Sequence, residues 1–262
     1  MLESKGAKSV LPDLGPAVIN TDRHVARILG CILFTFAVFA IWPEIDLRVS
    51  EAFHDPTAGF AFDGNPLAEA LRMAIWNAAI LLCVAATLGT VIGLAGRASV
   101  LPPRAWGFIL TLYVLGPGFM VDVMTKPLWG RARPAQIAEF GGSLRFSPAN
   151  ELVGVCARNC SFVSGEVSGA TATALALMLL RFYLKHRVHN GVSSLLLAAA
   201  WCLPPVVALQ RVAAGRHFLS DTVFAVLFTL LVALALAVLL RPLPHQMHWA
   251  RRKRAALPTD RW

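Results

Sequence analysis

The chain has 262 residues, of which 56% are hydrophobic and 15% are charged, and its formal net charge is +9. Its mean hydropathy is +0.61. In soluble domains about a quarter of the residues are charged, so this composition excludes an ordinary soluble fold and indicates a membrane protein.

Six runs of the chain contain no Lys, Arg, Asp or Glu. They cover residues 28–43, 73–96, 105–121, 167–180, 188–210 and 222–240. A helix that spans a bilayer needs about 20 mostly apolar residues, so each run predicts a transmembrane helix, the two shortest with help from flanking residues. We therefore expect an all-α, polytopic membrane protein with six transmembrane helices. The alternative is a bundle of five helices in which the fourth run is re-entrant.

The distribution of Lys and Arg predicts which loops face the cytoplasm. With six helices and an inside N-terminus, fifteen of the 24 Lys and Arg residues fall in inside segments, and the outside loop at 44–72 is instead rich in Asp and Glu. Both termini are thus expected in the cytoplasm. We expect a single membrane domain over residues 1–262, with a cytoplasmic segment at 1–25, a core at about 26–240 and a basic cytoplasmic tail at 241–262.

The basic tail and the net charge of +9 do not require a nucleic-acid partner. Basic residues next to the last transmembrane helix are typical of topology determinants and of contacts with anionic lipid. The bilayer is the partner that these features predict, and the sequence leaves the oligomeric state open. Residues 45–53 alternate apolar and charged side chains at helical spacing, which predicts a short amphipathic helix on the outer leaflet.

Three charged stretches at the ends of apolar runs carry the candidate chemistry. They are residues 126–134 (KPLWGRARP), 161–166 (SFVSGE) and 211–221 (RVAAGRHFLSD). In the six-helix topology all three lie on the outer face of the membrane. The first follows Gly116-Pro117-Gly118, which predicts a distorted end for the third helix.

The cations of the first stretch are Lys126, Arg131 and Arg133. Arg binds phosphate oxygens through a two-pronged fork and Lys offers a point charge, although snorkelling at the membrane surface is the alternative for both. In the second stretch, Ser164 before Gly165 is typical of a helix N-cap, where free backbone N–H groups can hold an anion.

The third stretch places His217 four residues before Asp221, with Arg211 and Arg216 close by. A histidine oriented by an acidic or backbone group can attack phosphorus and form a covalent intermediate. An aspartate in that position fixes the tautomer of the ring and stabilises its charged form. The alternative is a histidine at the membrane surface that a local aspartate caps.

The first two stretches resemble motifs of the type 2 phosphatidic acid phosphatase (PAP2) superfamily, which is related to the vanadium haloperoxidases. Its first motif, Lys-x6-Arg-Pro, corresponds to Lys126 and Arg133-Pro134. Its second motif, Pro-Ser-Gly-His, corresponds to VSGE at residues 163–166, with Glu166 in place of His.

The third stretch resembles the third motif of this family, Ser-Arg-x5-His-x3-Asp. It supplies Arg211, His217 and Asp221 at the required spacing, with Gln210 in place of Ser. The resemblance covers residues 26–240 and implies that His217 is the nucleophile, that it forms a phosphohistidine, and that Asp221 is its partner.

By the same resemblance, a set of cations and a turn would bind the phosphate without a metal or another cofactor. The set comprises Lys126, Arg133, Ser164, Gly165 and Arg211. Arg131 and Arg216 are additional cations that we expect to contact a second phosphate or a sugar, with solvent-facing roles as the alternative.

Glu166 stands where the family has the histidine that protonates the leaving oxygen. A carboxyl group can donate that proton only if its pKa is raised, which burial favours and neighbouring cations oppose. Two readings remain open: Glu166 is an unusual general acid, or the site is altered in substrate or inactive.

Cys156 and Cys160 share the loop before the second stretch, and no histidine stands at a zinc-ligand spacing there. An outer, oxidising compartment permits a disulfide between them, and two free thiols are the alternative.

These features predict a lipid phosphate phosphatase of a bacterial inner membrane, with its site facing the periplasm. Lipid A is the favoured substrate. Undecaprenyl diphosphate and phosphatidylglycerol phosphate are the enzymatic alternatives, and a catalytically dead lipid-binding membrane protein is the non-enzymatic one.

Overall fold

The computed structural model describes residues 21–97, 99–156 and 159–240. Most of the N-terminal segment predicted at 1–25 and the basic tail at 241–262 lie outside the described residues. The helices are α1 (Thr21–Ile41), α2 (Glu44–Glu51), α3 (Pro66–Leu94), α4 (Pro103–Tyr113), α5 (Lys126–Trp129), α6 (Gly165–Leu184), α7 (Asn190–Ala213) and α8 (Leu219–Leu239). A two-stranded hairpin of β1 (His54–Asp55) and β2 (Gly59–Phe60) follows α2.

Six helical segments of the described chain are long and apolar enough to cross a membrane. They are α1, α3, the segment Pro103–Gln136, α6, α7 and α8. The prediction of six transmembrane helices is confirmed, and the fourth run, α6, is a full-length helix of 20 residues.

The centre of the bundle is α6, which packs most extensively on α7 and also contacts α3, α4 and α8. Small residues on α6 permit this close packing, and Ala170, Ala172 and Ala174 are buried. α1 packs on α8, where the ring of Phe36 contacts the ring of Phe224.

The third span changes its helical form where the sequence predicts a distortion. After α4 the chain continues as a wide π-helix at Val114–Thr125, which contains Pro117, and then enters α5. Proline has no N–H to donate, so the regular α-helical bonds cannot continue through this point. The π-helix brings Asp122 and Lys126 to the end of the bundle where the three charged stretches meet.

Candidate active site

The three charged stretches line one pocket at one end of the bundle. Its volume is about 520 Å³. The residues of the predicted site that line it are Lys126, Arg133, Gly165, Glu166, Arg211, Arg216 and His217. The convergence follows from the fold, because the ends of the third span and α7 and the starts of α6 and α8 lie together.

His217 lies in the short loop between α7 and α8 and is only 5% exposed. Its Nδ1 is 2.8 Å from the carbonyl oxygen of Ser161. Since a carbonyl can only accept a hydrogen bond, Nδ1 carries the hydrogen and Nε2 keeps its lone pair. Burial lowers the pKa of His217, Asp221 opposes this shift, and the nearby cations Arg133 and Lys126 add to it. The ring is therefore held in the neutral, nucleophilic form at neutral pH.

Asp221 is fully buried and lies 3.8 Å from Nδ1 of His217. Its carboxylate accepts hydrogen bonds from the Ser161 hydroxyl at 2.5 Å and from the backbone N–H of Phe218 at 2.8 Å. The carbonyl of Ser161 is thus the direct partner of the histidine, and Asp221 holds Ser161 and the loop that carries the ring. Ser161 was not predicted as a site residue, although it begins the SFVSGE stretch.

Arg131 does not line the pocket, contrary to the expectation that it contacts substrate. Its side chain is fully buried, with Nη1 2.6 Å from Asp221 and Nη2 2.8 Å from Asp46. It also donates to the carbonyl of Ser147 and the hydroxyl of Ser220. Each of its three side-chain nitrogens donates to a protein partner behind the pocket wall, which gives Arg131 a supporting position beneath Asp221.

Ser164 is the N-cap of α6, as predicted, and its hydroxyl accepts from the backbone N–H of Val167. The side chain is fully buried, so the expectation that it contacts substrate is not met by its hydroxyl. Gly165 does line the pocket. A Cβ atom added there would lie 3.4 Å from Nζ of Lys126, so the glycine leaves room for an anion beside that ammonium group.

Glu166 lies in the first turn of α6 between two guanidinium groups. Its Oε1 is 3.1 Å from Nη1 of Arg72, and its Oε2 is 2.8 Å from Nε of Arg211. The two ion pairs place positive charge on both sides of the carboxylate. This geometry suits a proton acceptor better than the proton donor considered from the sequence.

Arg72 and Glu69 are pocket residues that the sequence prediction missed. Both come from the first turns of α3, and Nε of Arg72 donates to Glu69 at 2.6 Å. The signal that could have found them is a pair of opposite charges at the start of an apolar span, where charge is costly unless it has a function.

Arg216 lines the pocket together with Asp63. Nη2 of Arg216 forms an ion pair with Oδ1 of Asp63 at 2.7 Å. The loop that carries Asp63 follows the β1–β2 hairpin, and this hairpin packs through Phe60 on Gly215. Gly215 has a φ of +64°, and an added Cβ would collide with the ring of Phe60. The loop after the hairpin, through Asp63 and Gly64, forms one wall of the pocket.

Cys156 and Cys160 form a disulfide in the structure, with their Cα atoms 5.6 Å apart. The loop that they close contains Asn159, whose backbone carbonyl accepts from Nε of Arg133 at 3.1 Å. The bridge thus constrains the segment that orients one of the pocket cations.

Sequence comparison agrees with this geometry. The model of the PAP2 superfamily matches residues 106–243, which is more than half of the chain. The chain belongs to the PAP2 superfamily. The match contains all three charged stretches, each of which contributes residues to the pocket.

Curated relatives of this PAP2 chain carry the name Lipid A 4'-phosphatase. The protein of Rhizobium leguminosarum is 39% identical over 133 residues, which are 51% of this chain and 54% of the relative. A Rhizobium etli protein is 38% identical over 51% of this chain and 49% of its own length. The matched part thus spans about half of these two relatives. The protein of Francisella tularensis subsp. novicida is 26% identical over 78% of this chain and 90% of the relative.

A solved PAP2 structure shows the same fold. The crystal structure of the transmembrane PAP2 type phosphatidylglycerolphosphate phosphatase from Bacillus subtilis aligns with a TM-score of 0.52 and 16% identity. The alignment covers 81% of this chain and 94% of that chain. The six-helix PAP2 architecture is therefore shared at low sequence identity.

Proposed function

We propose that this protein is a membrane lipid phosphatase that works through a phosphohistidine intermediate. The observation that carries the proposal is the neutral imidazole of His217, which lines one pocket with Lys126, Arg133 and Arg211. A nucleophile surrounded by cations is the arrangement that phosphoryl transfer needs, because most of the catalysis comes from positioning and charge stabilisation.

The reaction has two steps. In the first, the Nε2 lone pair of His217 attacks phosphorus, and the bond from phosphorus to the lipid oxygen breaks with its electron pair on that oxygen. In the second, water attacks the phosphohistidine and the electron pair of the P–N bond returns to Nε2. The anionic carboxylate of Glu166 lines the pocket and takes the proton of that water.

The names of the relatives favour a lipid A phosphate as the substrate. The Lys and Arg distribution favours a bacterial inner membrane, with both termini in the cytoplasm and the pocket facing the periplasm. A bound phosphorylated lipid would reach the pocket from the outer leaflet.

The first prediction concerns the substrate and the nucleophile. Purified full-length protein is incubated with lipid A, undecaprenyl diphosphate and phosphatidylglycerol phosphate, and released phosphate is measured. We expect phosphate release from lipid A, and a loss of several orders of magnitude in His217→Ala because the nucleophile is gone. A trapped phosphoenzyme from labelled substrate should be absent in the same variant.

His189→Ala is the matched control, since this exposed histidine caps the start of α7 and does not line the pocket. Its activity should equal that of the wild type. If the protein prefers one of the other two lipids, the proposed substrate is wrong but the proposed reaction still holds. Inactivity towards every phosphorylated lipid would refute the proposal and leave a lipid-binding protein.

A further inference from the structure

A shallow apolar groove between α3, α6 and α7 lies beside the polar pocket. The groove is lined by side chains such as Ile75, Ala79 and Val206. It shares Arg72, Trp76 and Glu166 with the pocket. These three residues therefore mark the junction between a charged site and a surface that fits hydrocarbon.

A lipid phosphate has the same two parts, a phosphoryl group and an apolar chain. If the phosphoryl group lies beside His217, the apolar part of the lipid can lie along the groove, whose side chains are as apolar as the acyl chains of a bilayer. The leaving oxygen joins the two parts. It must therefore lie at the junction, next to Arg72 and Glu166.

The junction presents a cation to that oxygen. The carboxylate of Glu166 is bound by Arg72 and Arg211, and Glu69 holds Nε of Arg72 from the other side. Two carboxylates thus fix the guanidinium of Arg72, whose side chain remains 27% exposed. An Arg side chain does not lose its proton in proteins, so it stabilises charge without donating a proton.

We propose that Arg72 is a further catalytic residue, which takes up the negative charge on the leaving oxygen while an acyl chain of the lipid lies in the α3–α6–α7 groove. This inference rests on the phosphatase function proposed above. The electron pair of the broken P–O bond stays on the leaving oxygen, which Arg72 stabilises until water supplies a proton. The hydroxide formed there is balanced by the proton that Glu166 takes from water in the second step.

Specificity follows from this assignment. Without a proton donor, the first step depends on how well the leaving oxygen carries negative charge. The need for Arg72 is greatest when that oxygen is strongly basic, because more charge then remains to be stabilised in the transition state.

The second prediction tests Arg72 with two synthetic phosphate monoesters that carry the same acyl chain. One has an alkyl leaving oxygen and the other an aryl leaving oxygen, which is less basic. We expect Arg72→Met to lower kcat about tenfold more for the alkyl ester than for the aryl ester, which corresponds to about 1.4 kcal/mol. Arg72→Lys keeps a positive charge, so it should restore most of the kcat that Arg72→Met loses on the alkyl ester.

Arg145→Met is the control, because Arg145 is an exposed residue that does not line the pocket. It should leave both rates unchanged. Equal losses on the two esters in Arg72→Met would overturn the inference, since a residue with only a structural role does not distinguish leaving groups. Inactive wild-type protein on both esters would instead refute the phosphatase function itself.

The groove is tested by Gly169→Leu, because a Cβ at Gly169 meets no atom within 4 Å and a longer side chain would fill the groove. We expect the ratio of kcat/KM for a long-chain over a short-chain phosphatidic acid to fall about tenfold, the low end of what a changed methylene contact in an apolar pocket produces. Gly107→Leu, at an equally open position on α4, should keep the ratio. A ratio that stays unchanged in Gly169→Leu would overturn the assignment of the groove.

Discussion

Arg131 is the residue whose position departs most from what the sequence suggests. It lies two residues before Arg133, yet the two guanidinium groups have different surroundings. Gly130 adopts a left-handed conformation with φ of +54°, and after this turn Arg131 is buried between Asp46 and Asp221. The motif spacing therefore predicted that Arg133 lies in the pocket, but it could not predict that the side chain of Arg131 points away from it.

A third prediction follows from this burial. Arg131→Met should lower the free energy of unfolding by about 3–5 kcal/mol, because it leaves buried carboxyl groups without their cation. Burial already raises the pKa of Asp46 against the opposing effect of Arg131. The measurement is thermal or denaturant unfolding of the purified protein in detergent.

Arg145→Met is again the matched variant, since its ion pair with Glu151 spans 3.8 Å at the surface. We expect it to cost less than about 1 kcal/mol. Equal stability of the two variants would show that the buried network contributes no more than an exposed pair.

The fourth prediction concerns the dependence of activity on pH. Burial lowers the pKa of His217 below its ordinary value of 6.5, so the neutral nucleophile persists to more acidic pH than a free histidine allows. We expect half-maximal kcat at a pH below 6.5, because activity falls as the ring takes up a proton. Half-maximal activity above pH 6.5 would contradict this assignment.

The same shift affects stability. The pKa of His217 is lower in the folded chain than in the unfolded chain, so protonation of this residue favours unfolding. Its neutral form contributes fully to the stability of the fold above pH 6.5. That contribution is lost as the pH falls through the folded pKa. Unfolding curves at several pH values report this effect separately from catalysis.

At the scale of elements, α2 shows how a correct helix prediction can miss the packing. The helix forms at Glu44–Glu51, which overlaps the range 45–53 that was expected to lie on the outer leaflet. Asp46 and Ser50 are nevertheless buried, and Asp46 accepts from the backbone N–H of Ser220 in the first turn of α8. The polar residues of α2 therefore include Asp46, which belongs to a buried ion-pair network, as well as exposed residues.

The start of α3 has a related explanation. The charge-free run begins at residue 73, but the helix begins at Pro66 with Asn65 as its N-cap. The first turns carry Glu69 and Arg72, which face the pocket and pair with each other. A search for charge-free runs excludes such turns, which is why the sequence prediction missed these two site residues.

For the whole molecule, hydropathy was sufficient to predict six spans because a bilayer requires long apolar helices. The motif spacings and the predicted topology together placed Lys126, Arg133, Arg211 and His217 at one end of the bundle, and the structure brings them into one pocket. Side-chain partners that come from distant helices required the folded structure, because no spacing in the chain encodes them.

The fifth prediction concerns the orientation of the bundle. Two variants each carry one added cysteine. Ala58→Cys places it in the hairpin beside the pocket, and His186→Cys places it in the turn between α6 and α7. A thiol reagent that cannot cross membranes should label the first variant from the periplasm of intact cells and leave the second unlabelled. Labelling of His186→Cys alone would reverse the proposed orientation.

The side chains of the pocket also neutralise most of one another's charge. Its four carboxylates each pair with a cation, in the contacts Asp63–Arg216, Glu69–Arg72, Asp122–Lys126 and Glu166–Arg211. Among the described residues, Arg133 is the pocket cation without a carboxylate partner. Free inorganic phosphate must displace internal carboxylates and has no apolar chain to compensate. We therefore expect weak product inhibition and turnover that continues as phosphate accumulates.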